Sequence, residues 1–316
     1  MSVGVTASVI PRSIWSRSPF SRDQLMLLIT AVNEFFLAVD IYLAHGISGT
    51  ITRNEWIPIM FGPIAAGLLI LAGVIAVRRR ALATVMANFV LLVSVGVGLL
   101  GAYFHIVRAI LPTAPAGQRV SLDLIVWAPP ILGPLTFCLV GLLGISAVWI
   151  EQPPESGTLH LFGGLRLRLP YSKTRAYFFL VGLGCLATVI SSVLDHARTH
   201  FSNPWLWIPT LVGTFGTVVS VGLGLLDRPS RADVWTFVGA MTAMIAVGLL
   251  GSYLHVQDNL TAQGTIVGER FVRGAPFLAP LLFCNMGTLG FLALLPPDEA
   301  PLVFRGRRPS TRPKGT

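Results

Sequence analysis

Residues 97–105 read VGLLGAYFH and residues 247–255 read VGLLGSYLH, identical at all but two positions across an offset of 150. A chain with such a match is internally duplicated, so it must fold as two similar units placed side by side. The likeness extends beyond this segment. His45 with Trp56, Ile57 and Pro58 matches His196 with Trp207, Ile208 and Pro209 at an offset of 151, and PILGPLTFC at 130–138 matches PFLAPLLFC at 276–284 at an offset of 146. The offset drifts only through loops, where insertions and deletions are tolerated.

What each unit can be follows from its polar content. Only 12% of the 316 residues are charged and the mean hydropathy is +0.72, whereas a soluble domain carries about 25% charged residues. The chain therefore belongs in a lipid bilayer. Crossing it takes roughly 20 apolar residues, and eight stretches qualify: 24–45, 57–77, 81–107, 125–149, 176–197, 205–226, 234–256 and 275–295. Each copy holds four. Because four is even, the copies run parallel about a pseudo-two-fold axis along the membrane normal. The expected fold is an all-α integral membrane protein of eight transmembrane helices, arranged as two parallel-repeat four-helix bundles. Its segments are a tail at 1–22, a first repeat at 23–150, a linker at 151–175, a second repeat at 176–296 and a tail at 297–316.

The net charge of +9 reads as an orientation signal once its location is considered. The two tails, the turn at 78–80, the linker and the turn at 227–233 hold 17 of the 23 Lys and Arg residues. By the positive-inside rule these lie in the cytoplasm, which makes the chain a multi-pass plasma-membrane protein with both termini cytoplasmic and gives no role to nucleic acid. The first 20 residues have no long apolar core or small-residue cleavage site, so the first helix is expected to be its own signal anchor. Cys138, Cys185 and Cys284 all fall in spans, which argues against an extracellular disulfide framework. In the linker, TLHLF and LRLRL alternate around Gly163-Gly164, the pattern of a cytoplasmic β-hairpin. The last residues, rich in Arg, Pro, Ser and Thr, are expected to be disordered.

Several repeated residues have structural explanations. Trp56 and Trp207 fit the aromatic belt, and Pro58 and Pro209 fit a first helical turn. Gly98, Gly101, Gly248 and Gly251 allow close helix approach. Pro134 and Pro280 read as interior prolines that kink their helices, four residues before Cys138 and Cys284.

The histidines ask for more. Four of the six are matched, His45 with His196 and His105 with His255. At 1.5 Å per residue all four lie about 32 to 36 Å up their spans, near the outer boundary of the hydrocarbon. They come from the first and third helix of each bundle, diagonal neighbours whose axes are roughly 12 to 14 Å apart. Two imidazoles reaching across that gap can share one metal with a flat macrocycle between them. One bis-His haem b per bundle is the expected arrangement. A bare zinc or copper ion would use the same His45, His105, His196 and His255 but lacks thiolates or carboxylates at ligand spacing. His160 and His200 read as solvated.

The layout resembles that of the bis-His haem b bundle proteins, haem A synthases among them, which are also built as two four-helix halves. The histidines here fall on odd-numbered helices, where the haem A synthases use even-numbered ones. Arg108, three residues after His105, is placed to meet a haem propionate. The second copy has Val256, Gln257 and Asp258 in that region, while Arg198 follows His196 by two. Tyr103 and Tyr253 read as interface anchors.

A second polar set belongs to the first copy alone. Asn33 and Asp40 share one face of the first helix, and Glu34 and His45 share another. Intramembrane acids are costly and face the protein interior or a water-filled path. Glu34 and Asp40 therefore mark a proton or cation path toward His45, or else interhelical contacts. Three functions follow: a haem-binding electron-transfer protein working with a quinone or a periplasmic electron carrier, a small-solute or proton-coupled transporter, or an assembly subunit of a larger membrane complex. No nucleophile triad, nucleotide loop or thiol pair points to a soluble-type enzyme.

Overall fold

A computed structural model describes residues 20–46, 51–76, 78–110, 115, 117–119, 130–161, 164–261 and 267–297. Most of both tails, the beginning of the expected fourth span and Gly163 of the expected turn lie outside them, and with the tail the disorder expected there.

The described chain is mostly helical. In order it forms α1 (Arg22–Gly46), α2 (Trp56–Ala76), α3 (Arg80–Ala109), α4 (Leu132–Val148), three short strands, α5 (Lys173–Ala197), α6 (Trp207–Leu225), α7 (Arg231–Thr261) and α8 (Leu281–Ala293). Local sequence sets several starts. Ser21 and Gln24 cap α1 reciprocally, with Ser21 N–H donating to Gln24 Oε1 at 2.8 Å and Gln24 N–H to Ser21 Oγ at 3.3 Å. Ser230 and Asp233 do the same for α7. Each pair satisfies amides that a helix end otherwise leaves open.

Six helices, α1 to α3 and α5 to α7, are long and apolar enough to cross a membrane. The remaining two are shorter, 17 residues in α4 and 13 in α8, or about 25 and 20 Å against a hydrocarbon core of about 30 Å. Proline explains part of the difference. Pro134 stands in the first turn of α4 and Pro280 immediately precedes α8, so both mark helix starts, where a missing N–H costs nothing. The kink expected from interior prolines does not arise.

Helices α1 and α3 each pack against α2 and α4, and α5 and α7 each pack against α6 and α8; α4 meets α5, and α8 meets α1. Repeated small residues set the tightest of these contacts. A Cβ on Gly98 would lie 2.6 Å from Cys138 Sγ, and one on Gly248 would lie 2.5 Å from Cys284 N. On Gly101 or Gly251 it would strike the ring of Pro134 or Pro280. The duplicated glycine motif and the duplicated proline motif are thus two sides of one kind of contact, α3 on α4 and α7 on α8.

Between α4 and α5 the chain forms a three-stranded antiparallel sheet of β1 (Ile150–Glu151), β2 (Thr158–His160) and β3 (Arg166–Arg168), in that order. Leu159 sits opposite both Glu151 and Leu167. Gly157, at φ +70° and with no room for a Cβ beside Leu169 O and Tyr171 O, is the turn residue that lets β2 begin.

Candidate functional site

The C-terminal ends of α1 and α3 bring His45 and His105 together, their ring centroids 6.1 Å apart and their planes at 61°. The diagonal gap expected between these helices is closed by the side chains themselves. His45 Nδ1 lies 2.8 Å from Ile41 O, one turn back on its own helix, and His105 Nδ1 lies 2.9 Å from Pro130 O. A carbonyl only accepts, so each Nδ1 carries the ring proton and Nε2 is the basic nitrogen. Metal-binding histidines are oriented in this way.

Glu55, in the loop before α2, completes the cluster. Its Oε2 accepts from Thr52 N–H at 2.7 Å, its Oε1 accepts from Arg108 Nη1 at 3.1 Å, and the same oxygen lies 3.9 Å from His45 Nε2. Burial pushes the Glu55 carboxyl up, but the Thr52 amide, His45 and Arg108 outweigh it and hold the group below the usual carboxylate range. Arg108, expected beside a propionate, is here paired with a carboxylate of the protein.

The second set of histidines is arranged differently. His255 Nδ1 bonds Pro276 O at 3.0 Å, repeating the contact of His105. His196 Nδ1 is 3.4 Å from Ser192 Oγ, and its ring packs edge-on against Phe201 rather than against His255. Leu206 stands where the first copy has Glu55. Of the remaining histidines, His200 is exposed and His160 half-buried.

These contacts bear on what the first pair could hold. Among the described residues no group of three His, Cys, Asp or Glu side chains could bind a metal ion, which disfavours a bare ion. Haem brings four nitrogens of its own and asks the protein for two. His45 and His105, with ring centroids 6.1 Å apart, are the two side chains that would hold such a group, which would supply one-electron chemistry there. Glu55, held by the Thr52 amide and by Arg108, stands 3.9 Å from His45 Nε2 and would have to leave that nitrogen for it to bind such a group.

The acids of α1 occupy two environments. Glu34 is fully buried; Ser94 Oγ donates to its Oε1 at 2.6 Å and lies 3.1 Å from Phe137 O, while Oε2 has no partner among the described residues. It therefore faces α3 and α4. Asn33 faces the other way, lining a small void with Leu143, Leu180, Val181 and Met286. Asp40, on the Asn33 face, lies within electrostatic reach of Asp195 on α5.

At the opposite end of α1 is a buried network that sequence reasoning treated only as orientation charges. Arg22 is 3% exposed and Lys173 is 1% exposed. Arg22 Nη1 donates to Thr174 Oγ1 at 2.8 Å, and Lys173 Nζ donates to Asp23 Oδ2 at 2.6 Å. Tyr177 OH donates to the other oxygen of Asp23 at 2.9 Å, its ring lying under both cations. At the offset of 151, Arg22 corresponds to Lys173 and Asp23 to Thr174. The two bonds are thus reciprocal, each copy's cation reaching the next residue of the other copy, as in an isologous interface. That offset was the signal in the sequence.

Comparison with known protein families, with curated proteins and with solved structures finds no match to this chain.

Proposed function

We propose that this is an eight-span plasma-membrane protein of two similar four-helix halves, 23–150 and 176–296, that carries electrons through haem b held by His45 and His105. One observation supports this most strongly: two histidines 60 residues apart stand with ring centroids 6.1 Å apart, each with Nδ1 tied to a carbonyl. Haem in such a site supplies one-electron chemistry. The chain's own residues set its surroundings. Ile41 O and Pro130 O fix the two rings, and Arg108, paired with Glu55 beside them, would be the cation nearest a bound anionic group. The site lies at the end of the helices opposite the Arg22 and Lys173 network, and the positive-inside reading of the basic turns supports an outer position for it. Its partners there are a quinone or a periplasmic electron carrier.

The visible spectrum of the protein, purified in mild detergent from cells supplied with haem, tests the reading. A sharp Soret band with reduced α and β bands, lost in His45→Ala and in His105→Ala, supports it. A colourless protein rejects it.

A specific observation favours a second reading, a proton-coupled transporter of a small solute. Glu34 is wholly buried with one oxygen unpartnered among the described residues, and intramembrane acids mark proton relays. Uptake that fails in Glu34→Gln, in a protein without colour, selects this reading instead.

A further inference from the structure

We propose that β3 is an interfacial strand whose leucines rest in the bilayer, with its arginines at the level of the lipid phosphates. This inference is independent of haem. Leu165 is 61% exposed and Leu167 is 41% exposed, while Arg166 and Arg168 are exposed between and beyond them. Successive strand residues point to opposite faces, so the leucines lie on one face and the arginines on the other.

The sheet's register identifies the leucine face. Leu167 is opposite Leu159, and Leu159 is opposite Glu151. Both of those are buried, and Glu151 Oε1 accepts from the Lys173 N–H at the start of α5 at 3.0 Å. Through that bond the face is turned toward the start of α5, and in a bilayer toward the membrane. β3 is an edge strand, and Leu165 and Leu167 stay exposed where Leu159 of the adjacent β2 is buried; exposed leucines on a membrane-facing side are matched by lipid. β1 begins at Ile150, two residues after α4 ends at Val148, which keeps the sheet close to the helix ends.

Charge agrees with this placement. Arg78, Arg79 and Arg80 between α2 and α3, and Arg228 and Arg231 between α6 and α7, are exposed at the same end of the helices. They form a basic margin at headgroup depth, where arginine meets phosphate favourably. Leucine on one face and arginine on the other is the composition of an interfacial element.

Full-length protein in nanodiscs of phosphatidylcholine and phosphatidylglycerol tests this with a nitroxide on Leu167→Cys or Arg166→Cys, using protein without the added cysteine as background. The label at 167 is expected to collide with oxygen severalfold more than with a water-soluble nickel complex relative to the label at 166. Equal access of nickel to both overturns the proposal. So does a label at 167 shielded from both reagents, the signature of a covering protein chain. If Leu167→Cys reduces yield, Leu165→Cys reads the same face.

Discussion

His105 and His255 bond the carbonyls of Pro130 and Pro276, residues that precede α4 and α8. This shared contact explains why both halves carry the histidine even if only one holds a cofactor. His105→Ala and His255→Ala should each lower stability by about 1 kcal/mol, seen as similar drops in the detergent melting temperature, yet only His105→Ala should remove haem. Glu55 titrates with a defined sign. Its carboxyl is held below the usual range in the folded protein, so it contributes stability above its unfolded pKa that is lost as pH falls through the folded one. Glu55→Gln should cost about 1 kcal/mol or less at neutral pH and flatten the acid side of the melting-temperature profile. The duplication made the histidines legible in sequence. Glu55 was not, because a loop acid joins His45 only through the turn that the Thr52 contact closes.

The glycine and proline motifs act between elements. Gly98→Val and Gly248→Val put carbon into Cys138 and Cys284, so each should cost about 1 to 3 kcal/mol and expose α4 or α8 to limited proteolysis before the other helices. At the far end, Lys173→Met removes the ammonium from Asp23, which keeps Tyr177 and the nearby Arg22, and should cost about 1 to 3 kcal/mol, and the pair Lys173→Met with Asp23→Asn should recover part of that loss. A double-mutant cycle on detergent melts measures the coupling. The long apolar helices were legible from composition, but the Ser caps that start two of them were not read. The lengths of α4 and α8 were not, because a proline deep in an apolar run looks interior until the start of the helix is known.

On the scale of the whole molecule, several matched segments make matching contacts. Arg22 and Lys173 exchange partners at one end, and the glycine contacts recur in both sets of four helices. The histidine surroundings differ. The first half keeps Glu55, Arg108 and touching imidazoles, while the second places Leu206 and Phe201 around His196. The central claim is therefore one haem per chain, carried by the first half. Haem content of the purified protein, determined as the pyridine haemochrome against protein mass, tests it most directly. The account predicts one haem per chain, abolished by His45→Ala and retained in His196→Ala. No haem, or haem lost with His196 and kept without His45, would contradict it.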